Sequence, residues 1–162
     1  MKNKIFRALV ALAAMAVLVA SGLITFLVSQ DYFNETKKEL AQEARYISMG
    51  LESGGNDFLN KIAAENGSNV RITLIDKDGI VLFDNQAEAK TLENHAMRQE
   101  IMEAVAVGAG EAERFSDTLY KTTYYYAVRL EDGKILRLAR TIDSIYKSVL
   151  QMLPIMGGIV IV

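Results

Sequence analysis

The sequence predicts an α+β fold, in which one domain with a five-stranded antiparallel sheet lies between two apolar ends of the chain. Three observations carry this prediction. An uncharged stretch of 21 residues lies near the N-terminus, five short segments alternate like strands, and other segments repeat apolar residues at helical spacing. Roughly 115 residues between the two ends suffice for one hydrophobic core but not for two.

The uncharged stretch at residues 8–28 is long enough for a transmembrane helix, because about 20 residues at about 1.5 Å each cross the hydrocarbon core. Three basic residues and no acidic one precede it, and acidic residues follow it. This asymmetry predicts that residues 1–7 lie in the cytoplasm and that the span anchors the chain in the plasma membrane. A cleaved signal peptide is the alternative, but the apolar run continues to Val28, beyond the 7–15 residues typical of such peptides.

The C-terminal end is also apolar. Residues 148–162 carry no charge, yet residues 149–162 reach only about 21 Å as a helix, which is too short to cross. Pro154 and Gly157-Gly158 suit a membrane span better than the interior of a soluble helix. We therefore expect residues 148–162 to begin a second, truncated transmembrane helix, with residues 29–147 outside the membrane. A buried amphipathic helix is the alternative.

A long helix is predicted to continue directly from the first span. Over residues 31–51, apolar residues at spacings of seven, four, three and four form one stripe, and Gly54-Gly55 interrupts it. A second short helix, capped by Asn56 or Asp57, then ends at Asn66-Gly67. The stripe packs on its own domain or also pairs with a second copy of the chain.

The remaining elements are predicted from alternation and turn residues. Two strands form a hairpin, a helix ended by glycine follows, and three further strands lead to an exit helix near Thr141. This order favours helices on the faces of one antiparallel sheet. The strands are expected at residues 70–76, 80–83, 113–118, 123–130 and 134–139, and the helix between them at residues 95–107.

The composition excludes several classes of function. The chain has no cysteine and one histidine, which leaves no thiolate metal site, disulfide scaffold or Ser-His-Asp triad. Residues 31–147 include 20 acidic and 15 basic residues, a net charge of −5 that argues against nucleic acid as a partner. No glycine-rich phosphate loop is present. We predict no catalytic residue, no metal site and no cofactor within this sequence.

Several motifs together resemble a known family of receptors. They are Glu93-Asn94-His95-x-x-Arg98-x-Glu100-Ile101-x-x-Ala104 with Gly108-x-Gly110, Arg114-Phe115-Ser116-x-Thr118-Leu119, Tyr125-Tyr126-Ala127, Leu136-Arg137-Leu138-Ala139, and Arg71-Ile72-Thr73-Leu74-Ile75-Asp76 with its Asp78-Gly79 turn. The whole chain, with both apolar ends, resembles the N-terminal sensor region of bacterial sensor histidine kinases of the phosphate-regulon type. Gln99 stands where that family usually has proline.

The resemblance implies a single Cache-like, or PAS-like, domain outside the membrane, in a homodimer that senses an unknown small molecule, envelope polymer or protein. In such receptors a helix shift passes through the second span to a phosphoacceptor helix and a kinase domain that uses ATP and Mg, and the phosphoryl group then passes to a cytoplasmic response regulator. Those parts are expected downstream of residue 162, so the parent protein is the expected enzyme. His95 lies across the membrane from ATP in this arrangement, which excludes it as the phosphoacceptor.

Four residues are candidate ligand contacts. Tyr124 and Tyr126 share one face of a predicted strand, where aromatic rings with polar tips suit a pocket or an ordinary half-buried sheet. Arg137 on the next strand and Arg98 at a helix start suit a carboxylate or phosphate, and a salt bridge to an acidic residue is the alternative role.

The run that contains His95 and Glu100 is predicted to be structural. The resemblance implies that it recurs in receptors whose signals need not agree, so these two residues are expected to anchor the loop to the helix. An anion pocket between this helix and the sheet, where Cache-like domains hold ligands, is the alternative.

Two other functions stay open from the sequence. In one alternative, the same sensor belongs to a chemoreceptor or a diguanylate cyclase instead of a kinase. Cleavage after residue 22 would instead produce a freestanding envelope binding protein.

Overall fold

The structure, a computed structural model, describes residues 2–65, 70–116 and 121–143. A short 3-10 helix lies at Ala89–Thr91. The predicted C-terminal helix and second span lie outside the described residues, as does the predicted helix end at Asn66-Gly67. The helices are α1 (Lys2–Glu65) and α2 (Gln99–Val107), and the strands are β1 (Arg71–Ile75), β2 (Val81–Asp84), β3 (Ala109–Ser116), β4 (Lys121–Arg129) and β5 (Ile135–Asp143).

The described residues fall into two compact units, residues 2–35 with residue 143 and residues 36–142. In the first unit, the described residues 2–35 belong to α1 and expose their large apolar side chains; Leu12 is 64% exposed. The core helix of a soluble domain hides such side chains. Within the described part of the chain, α1 is the one helix long and apolar enough to cross a membrane. Its N-terminal stretch therefore fits a membrane span.

In the second unit, α1 buries one stripe of its surface. Leu40, Ala44 and Ile47 lie one turn apart and are buried, and each large aliphatic side chain buried in this way stabilises the fold by about 1.5–3 kcal/mol. The helix kinks at Gly55, where a φ of 57° and a ψ of −147° lie outside the helical region. The predicted interruption of the helix at Gly54-Gly55 is therefore confirmed.

The five strands form one sheet in the order β2-β1-β5-β4-β3, so the last strand lies at its centre. The predicted five-stranded antiparallel sheet and α+β class are confirmed. β1 and β5 pair antiparallel with Thr73 opposite Arg137. The hairpin between β1 and β2 is closed by Asp76, whose Oδ1 accepts hydrogen bonds from the backbone N–H groups of Asp78 (2.9 Å) and Ile80 (2.8 Å).

Successive side chains of a strand point to opposite sides, so the sheet has two distinct faces. The face covered by α2 is called the α2 face. At one end of it, two side chains of α2 and four from the β1–β2 hairpin, β4 and β5 form a buried apolar cluster. Its members are Ile75, Val81, Ile101, Ala104, Ala127 and Ile135.

The opposite side of the sheet packs against the second-unit part of α1 and is called the α1 face. Lys37 of α1 lies 5.0 Å from the centroid of the Tyr124 ring in β4. Arg140 of β5 donates hydrogen bonds to Glu39 (2.6 Å) and Glu43 (3.2 Å), both on α1. A single sheet thus separates α2 from α1.

The start of α2 differs from the prediction. The helix begins at Gln99 rather than His95, and Arg98 is extended, with φ −76° and ψ 137°. Hydrogen bonds to a distant part of the chain determine where the helix starts. The His95 N–H donates to the Gly79 carbonyl (2.8 Å), and the Asn94 amide bonds the Asp78 carbonyl, so this loop is attached to the β1–β2 turn.

Two strand boundaries also differ from the prediction. β3 begins at Ala109, not at residue 113, because Gly110 lets the strand pass against α2; a Cβ there would collide with the Glu100 carbonyl oxygen. The exit helix predicted near Thr141 is wrong for residues 141–143, since β5 continues to Asp143. The Thr141 hydroxyl lies 2.9 Å from that of Thr123 on β4, which extends the pairing of the two strands.

Candidate functional site

Polar and charged side chains gather on the α2 face, beside the apolar cluster. They come from all five strands, from α2 and from the loop before it, so the fold alone brings them together. We call this group the arginine cluster. Its members are Arg71, Thr73, Asp84, His95, Arg98, Glu100, Arg114, Tyr125 and Arg137.

Glu100 is the acidic centre of the arginine cluster. It lies in the first turn of α2 and is fully buried. Its carboxylate accepts hydrogen bonds from Arg114 Nη2 (2.6 Å) and Nη1 (3.3 Å) and a longer one from Arg137 Nη1 (3.4 Å). The two-pronged bond with Arg114 is the stronger interaction, because a short charged pair with parallel N–H donors binds more tightly than a single long contact.

Arg137 is a buried cation with few partners. It is 2% exposed, and its second hydrogen bond runs from Nη2 to Thr73 Oγ1 at 3.3 Å. Its Nε is buried and has no hydrogen-bond partner among the described residues. Its guanidinium lies 5.3 Å from the centroid of the Tyr125 ring, which is compatible with a cation–π contact. Burial lowers the pKa of Arg137, and the nearby Glu100 offsets part of that effect.

Arg71 and Asp84 form a second pair at the edge of the arginine cluster. The Nε of Arg71 donates to both carboxylate oxygens of Asp84, at 2.9 and 3.1 Å. The Thr73 hydroxyl donates to the same carboxylate at 2.8 Å. The side chain of Asp84 also accepts two backbone N–H groups from the following loop. Asp84 is thus occupied by partners of its own and does not neutralise Arg137.

His95 lies beside these arginines and is uncharged at neutral pH. The residue is 2% exposed, and its Nδ1 has no hydrogen-bond partner among the described residues. Burial lowers its pKa from 6.5 to about 4, and the positive charges of Arg137, Arg98 and Arg71 act in the same direction. The ring therefore offers a hydrogen bond to a ligand without a charge of its own.

The arginine cluster carries an excess of positive charge. It contains four guanidinium groups and two carboxylates, and its histidine is neutral at pH 7. Arginine stays protonated at any physiological pH, so titration does not remove the excess. Such a group of side chains attracts anions.

Two of the four predicted ligand contacts lie in the arginine cluster, and two lie elsewhere. Arg137 and Arg98 are both present, and no hydrogen bond or ion pair connects the Arg98 side chain to another described residue. Tyr124 and Tyr126 alternate with Tyr125 and lie on the α1 face. Burial raises the pKa of Tyr124. The structure therefore does not bring the two predicted tyrosines together with the two arginines.

The sequence analysis did not name five members of the arginine cluster as site residues. They are Arg71 and Thr73 on β1, Asp84 on β2, Arg114 on β3 and Tyr125 on β4. Alternation already separates Tyr125 from its two neighbours, but it does not indicate which face α2 covers. A prediction of strand order, with Arg137 between Thr73 and Tyr125, would have been the signal needed.

His95 and Glu100, the two residues predicted to anchor the loop to the helix, make different contacts. His95 attaches its loop to the β1–β2 turn through its backbone N–H, and its buried ring lies in the electrostatic field of Arg137, Arg98 and Arg71. Glu100 connects α2 to β3 and β5 through the two arginine pairs. Within the described ranges, no group of three or more His, Asp or Glu residues has the arrangement to hold a metal ion.

The five-stranded antiparallel sheet with the long helix α1 matches the α+β architecture of a Cache domain. The profile of the single Cache-like family matches residues 30–135, so the chain belongs to that family. Cache domains are extracytoplasmic sensor domains of signalling proteins such as kinases and chemoreceptors, and they bind ligands outside the cell in a membrane setting. No curated protein matches the chain.

Proposed function

We propose that the chain is the signal-sensing and transmembrane signalling module of a two-component sensor histidine kinase of the phosphate-regulon type. In this proposal residues 1–7 are cytoplasmic, residues 8–28 cross the membrane, residues 29–147 form the sensor domain outside the bacterial cell, and residues 148–162 begin a second span. The kinase domain, with ATP and Mg, follows these residues and passes phosphoryl groups to a response regulator.

One observation carries the proposal. A single helix, α1, contains both the apolar stretch that fits a membrane span and the stripe that packs on the sheet. A change in the sheet therefore acts on the same helix that enters the membrane. The basic residues before the apolar stretch and the acidic residues after it support a cytoplasmic N-terminus.

The two faces of the sheet give the module an input and an output. The arginine cluster on the α2 face receives the ligand, and the α1 face is connected to the helix through Arg140 and its partners Glu39 and Glu43. A ligand shifts the equilibrium between two conformations of the sensor only if it binds one of these two arrangements more tightly than the other. In a homodimer, the two arrangements are two relative positions of the α1 helices.

The kinase proposal is tested with the full protein that the gene encodes, in inverted membrane vesicles supplied with γ-³²P-ATP. We expect label that is stable to alkali and labile to acid, as phosphohistidine is, and we expect peptide mapping to locate it outside residues 1–162. Absence of such label from intact, folded protein would refute the kinase. Methylation or cyclic-dinucleotide synthesis in its place would instead identify a chemoreceptor or a diguanylate cyclase as the parent protein.

A further inference from the structure

Three glycines lie close together in the second-unit part of α1, at positions 50, 54 and 55. Glycine is the poorest helix former after proline, because its backbone loses the most conformational freedom in a helix. A helix that simply ends needs one glycine, at its C-terminus. Three of them inside an element that continues to Glu65 indicate a joint between two helical arms. We call the arms the first arm (residues 36–54) and the second arm (residues 56–65).

The backbone between the two arms has angles that favour glycine alone. Gly55 has a φ of 57° and a ψ of −147°, in a region that residues with a Cβ rarely adopt. A Cβ at this position would meet open space. Glycine is therefore required at residue 55 by the backbone conformation and not by the packing around it.

The side chain of Phe58 connects the second arm to the first. A Cβ on Gly50 would collide with the ring of Phe58, and a Cβ on Gly54 would lie 2.9 Å from the Phe58 Cβ. In a straight helix, residues 50 and 58 are about 12 Å apart along the axis, beyond the reach of one phenylalanine side chain. The ring touches residue 50 only because the second arm turns back at Gly55. Gly50 thus forms the seat of the ring.

We propose that these residues form a two-position switch, the α1 joint, made of Gly50, Gly54, Gly55 and Phe58. In the bent position, which the structure shows, the Phe58 ring lies on Gly50. In the extended position, Gly55 takes helical angles, the two arms are in line and the ring leaves its seat. Backbone positions of this kind cluster at the switch regions of proteins. The inference deepens the proposed signalling function and rests on it for the output of the switch.

The α1 joint lies between two packed segments of the second unit. The first arm buries Leu40, Ala44 and Ile47, and the second arm buries Leu59 before the chain reaches β1. A rearrangement of β1 therefore reaches the first arm through the joint. A ligand that favours one arrangement of the sheet shifts the ratio of the bent to the extended position.

The distance between the two arms measures the position of the joint. The chain has no cysteine, so Arg45→Cys and Lys61→Cys, at exposed positions on the first and second arm, provide the only sites for nitroxide spin labels. The labelled whole chain is reconstituted in lipid nanodiscs with an excess of unlabelled chain, and double electron–electron resonance gives the distance. The extended position places the Cα atoms of residues 45 and 61 about 24 Å apart, and the bent position places them closer.

Two variants favour the extended position for different physical reasons. Gly55→Ala disfavours the positive φ without any collision, whereas Gly50→Ala fills the seat of the ring. Each is expected to raise the ratio of the longer to the shorter distance by roughly tenfold. Ser53→Ala is the matched control, because Ser53 is exposed and its hydroxyl bonds the Met49 carbonyl within the first arm; it is expected to change the ratio by less than about twofold.

Removal of the ring tests the seat on Gly50. With Phe58→Ala already present, Gly50→Ala meets no ring, so we expect it to change the ratio of distances by less than about twofold. An undiminished effect of Gly50→Ala in this background would show that Gly50 is not the seat of the ring and would overturn the switch as proposed.

The output is read in the full protein with the assays described above, as autophosphorylation, methylation or cyclic-dinucleotide synthesis. Gly55→Ala and Gly50→Ala are expected to change this output in the same direction and by a similar factor, and Ser53→Ala is expected to leave it unchanged. One distance that neither glycine variant alters in folded protein overturns the switch, as does a change of distance without a change of output. The distance measurement needs no kinase, so failure of the switch and failure of the kinase proposal are distinguishable.

Discussion

Replacement of Glu100 by glutamine tests whether the arginine cluster is held by charge. Glu100 is fully buried and connects α2 to Arg114 of β3 and Arg137 of β5. Glutamine has the same size and still accepts one hydrogen bond, but it removes the negative charge. Arg137, which is 2% exposed, is then left as a buried cation with no close counter-charge.

The magnitude follows from the exposure of the two arginines. Removal of one partner from a buried ion pair costs about 3–5 kcal/mol. The Arg114 side chain is 36% exposed, so water solvates it once Glu100 is gone, and only Arg137 bears the full penalty. We therefore expect Glu100→Gln to lower the free energy of unfolding by about 3 kcal/mol, at the lower end of that range.

The assay is urea unfolding followed by circular dichroism on the chain in nanodiscs, read from the sheet signal. The matched control is Glu103→Gln, one turn later on α2. The Glu103 carboxylate accepts hydrogen bonds from Gln99 and from the backbone N–H of Glu111 near the surface, so its loss is expected to lower stability much less. Equal losses for Glu100→Gln and Glu103→Gln would refute the account of Arg137 as a cation that depends on Glu100.

Three further predictions concern other parts of the second unit. Gly79→Ala is expected to lower the free energy of unfolding by more than about 3 kcal/mol, because its φ is +87° and a Cβ would collide with residues 94 and 96. Gly133→Ala is the control, since its φ of +83° is similar but the space around it is open, and it is expected to cost only about 1–2 kcal/mol. Equal costs of the two variants in urea melts would exclude the collision at Gly79. The folded-state pKa of His95, about 4, lies below its ordinary value of 6.5, so the unfolded chain binds more protons between these values and stability falls as pH falls from 6.5 to 4. A shift of that size corresponds to roughly 3 kcal/mol of unfolding free energy. Urea melts at pH 7 and pH 4 should therefore show a larger difference for the native chain than for His95→Asn, and equal differences would contradict this. Arg140→Gln is expected to lower the free energy of unfolding by about 1 kcal/mol at low salt and by much less in about 1 M NaCl, because salt screens partly exposed ion pairs. A loss of stability that does not depend on salt would show that the ion pairs of Arg140 with Glu39 and Glu43 do not cause it.

The parts of the fold that local patterns determine were predictable. Strand alternation identified β1, β4 and β5, and the Gly54-Gly55 pair identified the break in α1. The start of α2 was not predictable, because it depends on hydrogen bonds from Asn94 and His95 to a turn 16 residues away in the chain. Side-chain pattern alone contains no information about such a contact.

The candidate site was only partly predictable for a similar reason. Arg137 and Arg98 stand out as cations beside apolar residues, and alternation separates Tyr125 from Tyr124. The sequence does not indicate which face α2 covers, and Glu100 meets Arg137 across 37 residues of chain. The face that α2 covers and the contact between Glu100 and Arg137 both depend on strand order, which is set by long-range pairing.

The most direct test of the account is the side of the membrane on which the domain lies. The chain has no cysteine, so one introduced thiol is the only reactive site for a membrane-impermeant maleimide. We predict that Glu131→Cys, in the exposed turn after β4, is labelled in intact cells, and that Lys4→Cys is labelled only after permeabilisation, on membrane-bound protein of unchanged mass. Protection of Glu131→Cys in intact cells, or loss of the Lys4 end from the mature protein, would contradict an anchored extracytoplasmic sensor.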